Sequence, residues 1–471
     1  MRKIFPLFVL ALLLLTSCSS DIKVSRHLNH TPNIWPDYKG VTIPPNIAPL
    51  NFCVASHGNS AGRYALIIEG AGTRLTLKTT DSKFSIRPAE WHELLSKARG
   101  SALKLTVCRK GSSGWEAFKP FTIQVAADSI DSYLAYRLIP PGYGLWYHMG
   151  IYQRNLENYD ESAIVDNSTT DYNCVNCHSF PNQQADKMVF HMRAAHKGTY
   201  LVKDGQAEHI DREGMPPLVY PYWHPSEKYI AFSSNKTSQS TFINHANRIE
   251  VFDTMSDVYV YDLQHHRILK SPLTASASKF ETFPTFSPDG KWLYFCSAEA
   301  VDSLPENYKK VHYNLCRIAF DARHGTFGNK VETVYDAVRE GKSVSFPRIS
   351  PDGRLLVFTR HAFGTFSIWH HDADLWAIDL HSGRSYPLKA ANSHDTESYH
   401  SWSHNSRWMA FSSRRGNGLY TRIFITYIDR RGQAHKPFLL PQSDPAEFYR
   451  NLQYSYNIPE LKRGKTPRVE F

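Results

Sequence analysis

The sequence predicts an all-β fold built from repeated units of short strands, and three observations carry that prediction. Aromatic residues make up 13% of the 471 residues, with 26 Tyr, 26 Phe and 10 Trp against only 7 Met. The 27 Pro and 25 Gly supply turns, a balance that favours short strands joined by tight turns over long helices. A turn followed by an apolar strand recurs through the second half of the chain. At about 150 residues per domain, the length fits about three domains or one large repeat array. With 42% hydrophobic and 21% charged residues, neither a disordered tail nor a multispan membrane protein is compatible with the composition.

Residues 1–17 read as an export signal. Arg2 and Lys3 precede an apolar run, Ile4 to Leu15, which is too short to span a hydrocarbon core of about 30 Å. The run ends in Leu15-Thr16-Ser17-Cys18, which resembles the lipobox of bacterial lipoproteins and implies acylation of Cys18. Several acyl chains at roughly 0.8 kcal/mol per buried CH₂ hold a soluble domain at a membrane. The predicted location is the bacterial cell envelope, on the periplasmic side or the cell surface, with the outer membrane as the expected anchor. Residues 18–36 are the expected tether. Loss of Arg2 and Lys3 lowers the net charge from +10 to +8. The one basic cluster, Lys462, Arg463, Lys465 and Arg468, reads as a solvated tail over residues 446–471, and nucleic acid is not an expected partner.

Residues 37–140 alternate as strands, for example Tyr64 to Ile68, Thr73 to Leu77 and Leu103 to Val107, with one helix expected at Pro88 to Ala98. This suggests a β-sandwich of immunoglobulin-like size. Cys53 and Cys108 each fall in a strand, open to a disulfide. Gly58-Asn59-Ser60-Ala61-Gly62 beside His57 matches Gly-x-Ser-x-Gly. A strand rather than a helix follows it, however, which argues against a nucleophile elbow.

The most informative stretch is Cys174-Val175-Asn176-Cys177-His178, in the segment 141–180. With 7 Cys and 23 His in the chain, a Cys-x-x-Cys-His is rare by chance, and it signals c-type haem attachment. Two thiols three positions apart reach the two vinyl groups of one porphyrin, and the adjacent imidazole turns back to the iron. A redox dithiol expects a thioredoxin-like βαβ context that is not evident. A zinc site needs a second ligand pair, and the other cysteines are isolated. His178 is therefore the expected proximal ligand. For the distal position, His191 and Met149 are the leading candidates, with His148, Met192 and His196 also near the motif. Met or His there implies electron transfer, and an open position implies ligand binding or peroxidase-type chemistry.

The repeats begin near residue 215. The pattern Tyr222 to Ser233 returns as Phe286-Ser287-Pro288-Asp289-Gly290 to Cys296, as Ile349-Ser350-Pro351-Asp352-Gly353 to Thr359, and more loosely as Trp402 to Ser412. The equivalent residues Trp223, Phe286, Ile349 and Trp402 are 63, 63 and 53 positions apart. Pro sets φ, Asp caps, and Gly accepts a positive φ, so each copy is a turn opening a buried strand. A fifth copy lies under the haem motif, where Phe180-Pro181-Asn182 and Lys187 to His191 place His191 in the slot of Ser233, Cys296, Thr359 and Ser412. Repeats of this length with several strands indicate a β-propeller. The motif resembles the WD40-like (PD40) repeat of the TolB-type propeller family over roughly residues 178–440. That resemblance implies five blades with a degenerate sixth over residues 181–445, and a haem near one mouth of the channel because the repeat strand lies toward it. Cys296 and Cys316 fall in successive strands of one blade, as a cross-strand pair or as buried small residues.

The expected protein is a lipid-anchored cytochrome-like molecule with one covalent haem c on Cys174, Cys177 and His178. Its expected role is electron transfer or haem-linked redox sensing rather than catalysis, with the propeller as docking platform for an unidentified redox or envelope partner. The alternatives are an envelope scaffold in which the haem is structural, and a haem enzyme with an open distal site. No catalytic residue is assigned.

Overall fold

The structure is a computed structural model that describes residues 22–54, 62–140, 147–212 and 214–470. The lipobox with Cys18, as well as His57 and Gly58 to Ala61, lie outside the described residues. The chain is nearly all β, as the composition demands. Its N-terminal part pairs a seven-stranded sheet with a three-stranded one, Ile34–Trp35, Phe52–Val54 and Lys83–Phe84. The single helix here, Pro88–Lys97, starts with Pro in its first turn and buries Trp91, Leu94 and Leu95. Residues 24–27 and 34–35, expected as tether, are strands of these sheets.

Six four-stranded sheets follow. Each inner strand touches the next in the order Cys174–Ser179, Val219–Trp223, Lys279–Phe286, Ser343–Ile349, Glu397–Trp402 and Ser455–Lys462, and the last returns to the first. The ring is a six-bladed propeller. Blade 1 joins Tyr133–Ile139, Gly150–Asn155 and Glu161–Asp166 to the C-terminal strand Ser455–Lys462, which pairs antiparallel with Tyr133–Ile139. The expected propeller start at 181 and the expected tail from 446 are therefore both corrected. Residues 133–180 already build blades, and the supposed tail closes the ring. Lys462, read as solvated, is fully buried.

Every inner strand carries one non-glycine residue with a left-handed φ, namely Ile458 (51°), Cys177 (23°), Tyr220 (50°), Phe283 (52°), Phe346 (50°) and Tyr399 (51°). The ladder to the second strand slips at each of these points, so each is a bulge that re-aims a side chain. Four of these side chains meet as rings, with centroids 4.6 Å apart for Tyr220 and Phe283, 4.0 Å for Phe283 and Phe346, and 4.5 Å for Phe346 and Tyr399. Strain at a positive φ is thus accepted six times, with aromatic packing between blades as its return. Cys177 holds the equivalent slot in blade 2.

The opposite mouth is capped. The long hairpin Tyr229–Thr241 and Ile249–Asp262 of blade 3 reaches blade 5, where Glu250 pairs with His370 at 3.1 Å and His371 Nε2 donates to the Ala246 carbonyl at 2.7 Å. Asp253 on this hairpin is buried, and desolvation pushes its pKa to about 7 against the hydrogen bond from Asn235. A folded-state pKa above the unfolded value gives stability that is complete below about pH 4 and lost as pH rises through 7. Asp253→Asn is expected to match wild type below pH 4 and to exceed it at pH 8 by up to about 4 kcal/mol, at about 1.4 kcal/mol per pKa unit. Thermal unfolding of both proteins from pH 3.5 to 8.5 measures this.

Blade 6 and the N-terminal sheets share one core, in which Trp408 is fully buried beside residues of both. Its Nε1 donates to the Asp128 carbonyl at 3.0 Å. Trp408→Ala is expected to cost about 3–5 kcal/mol, read as a drop in the denaturant midpoint.

Candidate functional site at the open mouth of the channel

The Cys-x-x-Cys-His motif is the inner strand of blade 2, Cys174–Ser179, with every residue buried. It lies just before a short turn, Pro181–Gln183, as the repeat alignment requires. The repeat strand carrying His191 is second from the axis, not the channel-lining one, because the strand before each turn takes the inner position. His191 pairs in register with Asn176, as Ser233, Cys296, Thr359 and Ser412 pair with their own inner strands.

Cys174 Sγ lies 3.6 Å from an Arg137 nitrogen. Cys177 lies at the axial bulge, and burial pushes its thiol up, against the backbone of Tyr220. His178 is the notable residue, since its side chain is 0% exposed and its ring nitrogens make no hydrogen bond of good geometry, only a weak one to the Ile458 backbone. Desolvation holds its pKa down at about 3, helped by the charges of Arg137 and Lys462 and opposed by the Ile458 backbone. At neutral pH it is an uncharged imidazole with free lone-pair capacity.

His178 opens on a cavity of about 220 Å³ at the uncapped mouth, lined also by Tyr222, Trp223, Arg348, His400, Trp402 and Glu460. Glu460 Oε1 accepts the Phe180 N–H at 2.9 Å, and Oε2 lies 3.9 Å from His178 Nε2. Burial pushes Glu460 up to about 8 and Lys462, two residues on, down to about 7. Burial thus shifts both groups toward their neutral forms.

None of the expected distal candidates lines this cavity. His191 Nδ1 is engaged with the Thr199 hydroxyl at 3.0 Å, and burial holds its pKa at about 4. Met149 is buried in blade 1, its backbone N–H bound to Asn167, and Met192 packs in a separate apolar cluster with Val175 and Phe190. His148 meets Asp166 and Tyr152, and His196 meets Asp171. The second imidazole on the cavity is His400, which the sequence reasoning missed. The signal was present, because Tyr399-His400 stands where Cys177-His178 stands in its own blade, and Pro221, Pro284, Pro347 and Pro459 fill that slot elsewhere. Arg348 and Glu460 carried no comparable signal, since their slot holds Ser179, Tyr222, Thr285 and Ser401 in the other blades.

The other described cysteines, Cys53, Cys108, Cys296 and Cys316, are all buried. Cys53 and Cys108 lie in different sheets and form no disulfide. Cys296 pairs in register with Leu315 rather than with Cys316, so the two thiols face different apolar clusters, as buried small residues do.

As donors, the motif residues fit a c-type haem, being two thiols at the required spacing and a neutral imidazole with a free ring lone pair. Cys174 is 4% exposed and Cys177 2%, and the adjoining cavity is smaller than the 300–1,000 Å³ that usually encloses a drug-sized ligand. A haem on these thiols would therefore have to be attached before this blade closes. No group of three or more His, Cys, Asp or Glu that would hold a free metal ion occurs among the described residues.

No family model matches the chain, and no curated protein matches it. Among solved structures it is similar to an oligogalacturonate lyase from Vibrio parahaemolyticus (10% identity, TM-score 0.34), covering 60% of this chain and 85% of that one. It is also similar to the periplasmic gluconolactonase of Pseudomonas aeruginosa (12%, TM-score 0.34), over 66% of this chain and 97% of that one. Prolyl oligopeptidase B from Galerina marginata (9%, TM-score 0.36) matches over 84% of this chain, which spans about half of that longer protein, 54%.

Proposed function

We propose that this chain is an exported lipoprotein, anchored through Cys18 in the bacterial envelope, that carries one haem c on Cys174, Cys177 and His178. Its role in this reading is electron transfer or haem-linked redox sensing, with the TolB-like propeller as docking platform. The observation that carries the reading is His178. Its imidazole is buried and neutral with only a weak hydrogen bond to the Ile458 backbone, which leaves a ring lone pair free for a metal, and a buried polar atom left unsatisfied costs about 1–3 kcal/mol.

The Cys174 and Cys177 thiols would hold the haem, each S–H adding across one vinyl C=C so that sulfur takes one carbon and the proton the other. The haem supplies the redox-active iron. The chain holds the imidazole neutral by burial and keeps water from it by packing His178 against Phe180, whose ring centroid is 6.0 Å away. The Asn176–His191 and His178–Phe190 pairs tie the motif to the second strand. The charges of Arg137, which acts on His178, and of Arg348 on the same cavity would favour the reduced iron over the oxidised one.

The test is expression with signal peptide and haem-maturation machinery, followed by intact mass and the reduced absorption spectrum. The expected result is one haem added to a triacylated chain, lost in Cys174→Ser and Cys177→Ser. Mature protein without covalent haem would overturn the proposal. Refolded haem-free protein is expected not to take up haem, because both thiols are then closed in the blade.

A further inference from the structure

The open mouth of the channel also holds a guanidinium without a counter-ion. Arg348 follows the left-handed Phe346 by two residues on the inner strand of blade 5. Its Nη1 donates to the Pro347 carbonyl at 2.9 Å, and its charge lies 5.0 Å from the Tyr222 ring centroid. Among the described residues no carboxylate comes within ion-pair distance of it. Glu460, the one acid among the described residues lining the cavity, accepts the Phe180 N–H instead, and its field reaches Arg348 without an ion pair. Charges taken out of water are ordinarily paired, so this one asks for an anion from outside.

The opposing wall specifies more than charge. His400 Nε2 donates to the Val357 carbonyl at 2.9 Å, which fixes the proton there and leaves Nδ1 as an acceptor. That Nδ1 is buried without a partner. Trp223 and Trp402 also line the cavity with their indole N–H groups already bound, to the Ser179 and Arg348 carbonyls. What they offer an occupant is ring carbon. A planar cation for a carboxylate, a buried acceptor for a hydroxyl and aromatic walls for a C–H body therefore surround one cavity of about 220 Å³.

We infer that this mouth binds a small hydroxycarboxylic acid, its carboxylate on Arg348 and a hydroxyl donating to His400 Nδ1. The site goes beyond the haem proposal and does not rest on it, since neither Arg348 nor His400 belongs to the motif.

The experiment uses wild-type chain produced without haem maturation and, separately, the haem-loaded protein. Tryptophan fluorescence is followed on titration with D-glucuronate, with uncharged D-glucose and with hydroxyl-free cyclohexanecarboxylate. Saturable binding of glucuronate is expected in the haem-free form, at least tenfold tighter than either control, and weaker in the haem-loaded form, because His178 lines the same cavity of about 220 Å³. Arg348→Gln is expected to lose tenfold or more, and Arg348→Lys to retain part of the affinity. His400→Leu is expected to abolish the preference for glucuronate over cyclohexanecarboxylate while still binding both acids. Absence of saturable binding, or glucuronate affinity unchanged in Arg348→Gln, would overturn the inference. Should Arg348→Gln not fold, the preference ratio in His400→Leu decides alone. Failure here leaves the haem spectrum untouched, and a missing haem leaves the haem-free titration untouched.

Discussion

Truncation after residue 451 is expected to abolish the cooperative unfolding of the propeller while leaving the N-terminal sheets folded. Ser455–Lys462 is the inner strand of blade 1, hydrogen-bonded along Tyr133–Ile139 and packed against the inner strands on either side. Without it, blade 1 exposes an unpaired edge on the channel, and the ring becomes an open stack of blades with two free ends. Buried Tyr456 and Leu461 leave the core shared with blade 6 and the N-terminal sheets, at about 2–5 kcal/mol for each large apolar side chain lost. Their sum approaches the whole stability of an ordinary domain, about 5–15 kcal/mol. Calorimetry of the truncated and full chains measures the effect. A single undiminished transition in the truncated protein would show that closure by the C-terminal strand is dispensable.

The second large effect has opposite signs in two forms of one variant. In haem-free protein, His178→Leu is expected to raise stability by about 1–3 kcal/mol, because it removes a buried imidazole whose nitrogens have only a weak hydrogen bond to the Ile458 backbone. In the haem-loaded protein the same change is expected to remove the proximal ligand, which converts the spectrum to that of an iron lacking this imidazole and lowers the thermal midpoint. The pair of measurements separates function from packing. A core histidine with a structural role destabilises both forms when replaced, whereas a ligand retained at a cost to the fold stabilises one and cripples the other. The desolvated pKa of about 3 has a further consequence. Since the imidazole is neutral in the fold at any pH above that, the unfolded chain binds the extra proton between pH 3 and 6.5. The stabilisation of haem-free protein by His178→Leu therefore grows as pH falls through that window.

The blade turns were legible from the sequence because their chemistry is local. Ser287-Pro288-Asp289-Gly290 and Ser350-Pro351-Asp352-Gly353 each specify a turn within four residues, and Gly290 and Gly353 have the positive φ that the turn needs. The helix at Pro88 was legible for the same reason, with Pro and Glu90 in its first turn. Blade 1 was not legible. Three of its strands precede the haem motif, and the fourth follows more than 280 residues later in a stretch whose Lys462, Arg463 and Lys465 read as solvated. Charge on a side chain says nothing of where a returning strand will take it. Lys462 is buried with its Nζ donating to Gln153 at 2.9 Å.

The site divides along the same line. The sequence by itself determined the all-β class, the repeat and the motif residues Cys174, Cys177 and His178, because residue type and short spacing carry that chemistry. It also held the equivalence of His178 with His400, through the shared slot after each bulge. Only the tertiary structure decided that His191 and Met149 point away from the cavity, and that Arg348 and Glu460, 112 positions apart, share it. Alternation along a strand sets which face a side chain takes, but a bulge resets that alternation, and ring closure brings distant inner strands together. Neither leaves a mark in local sequence.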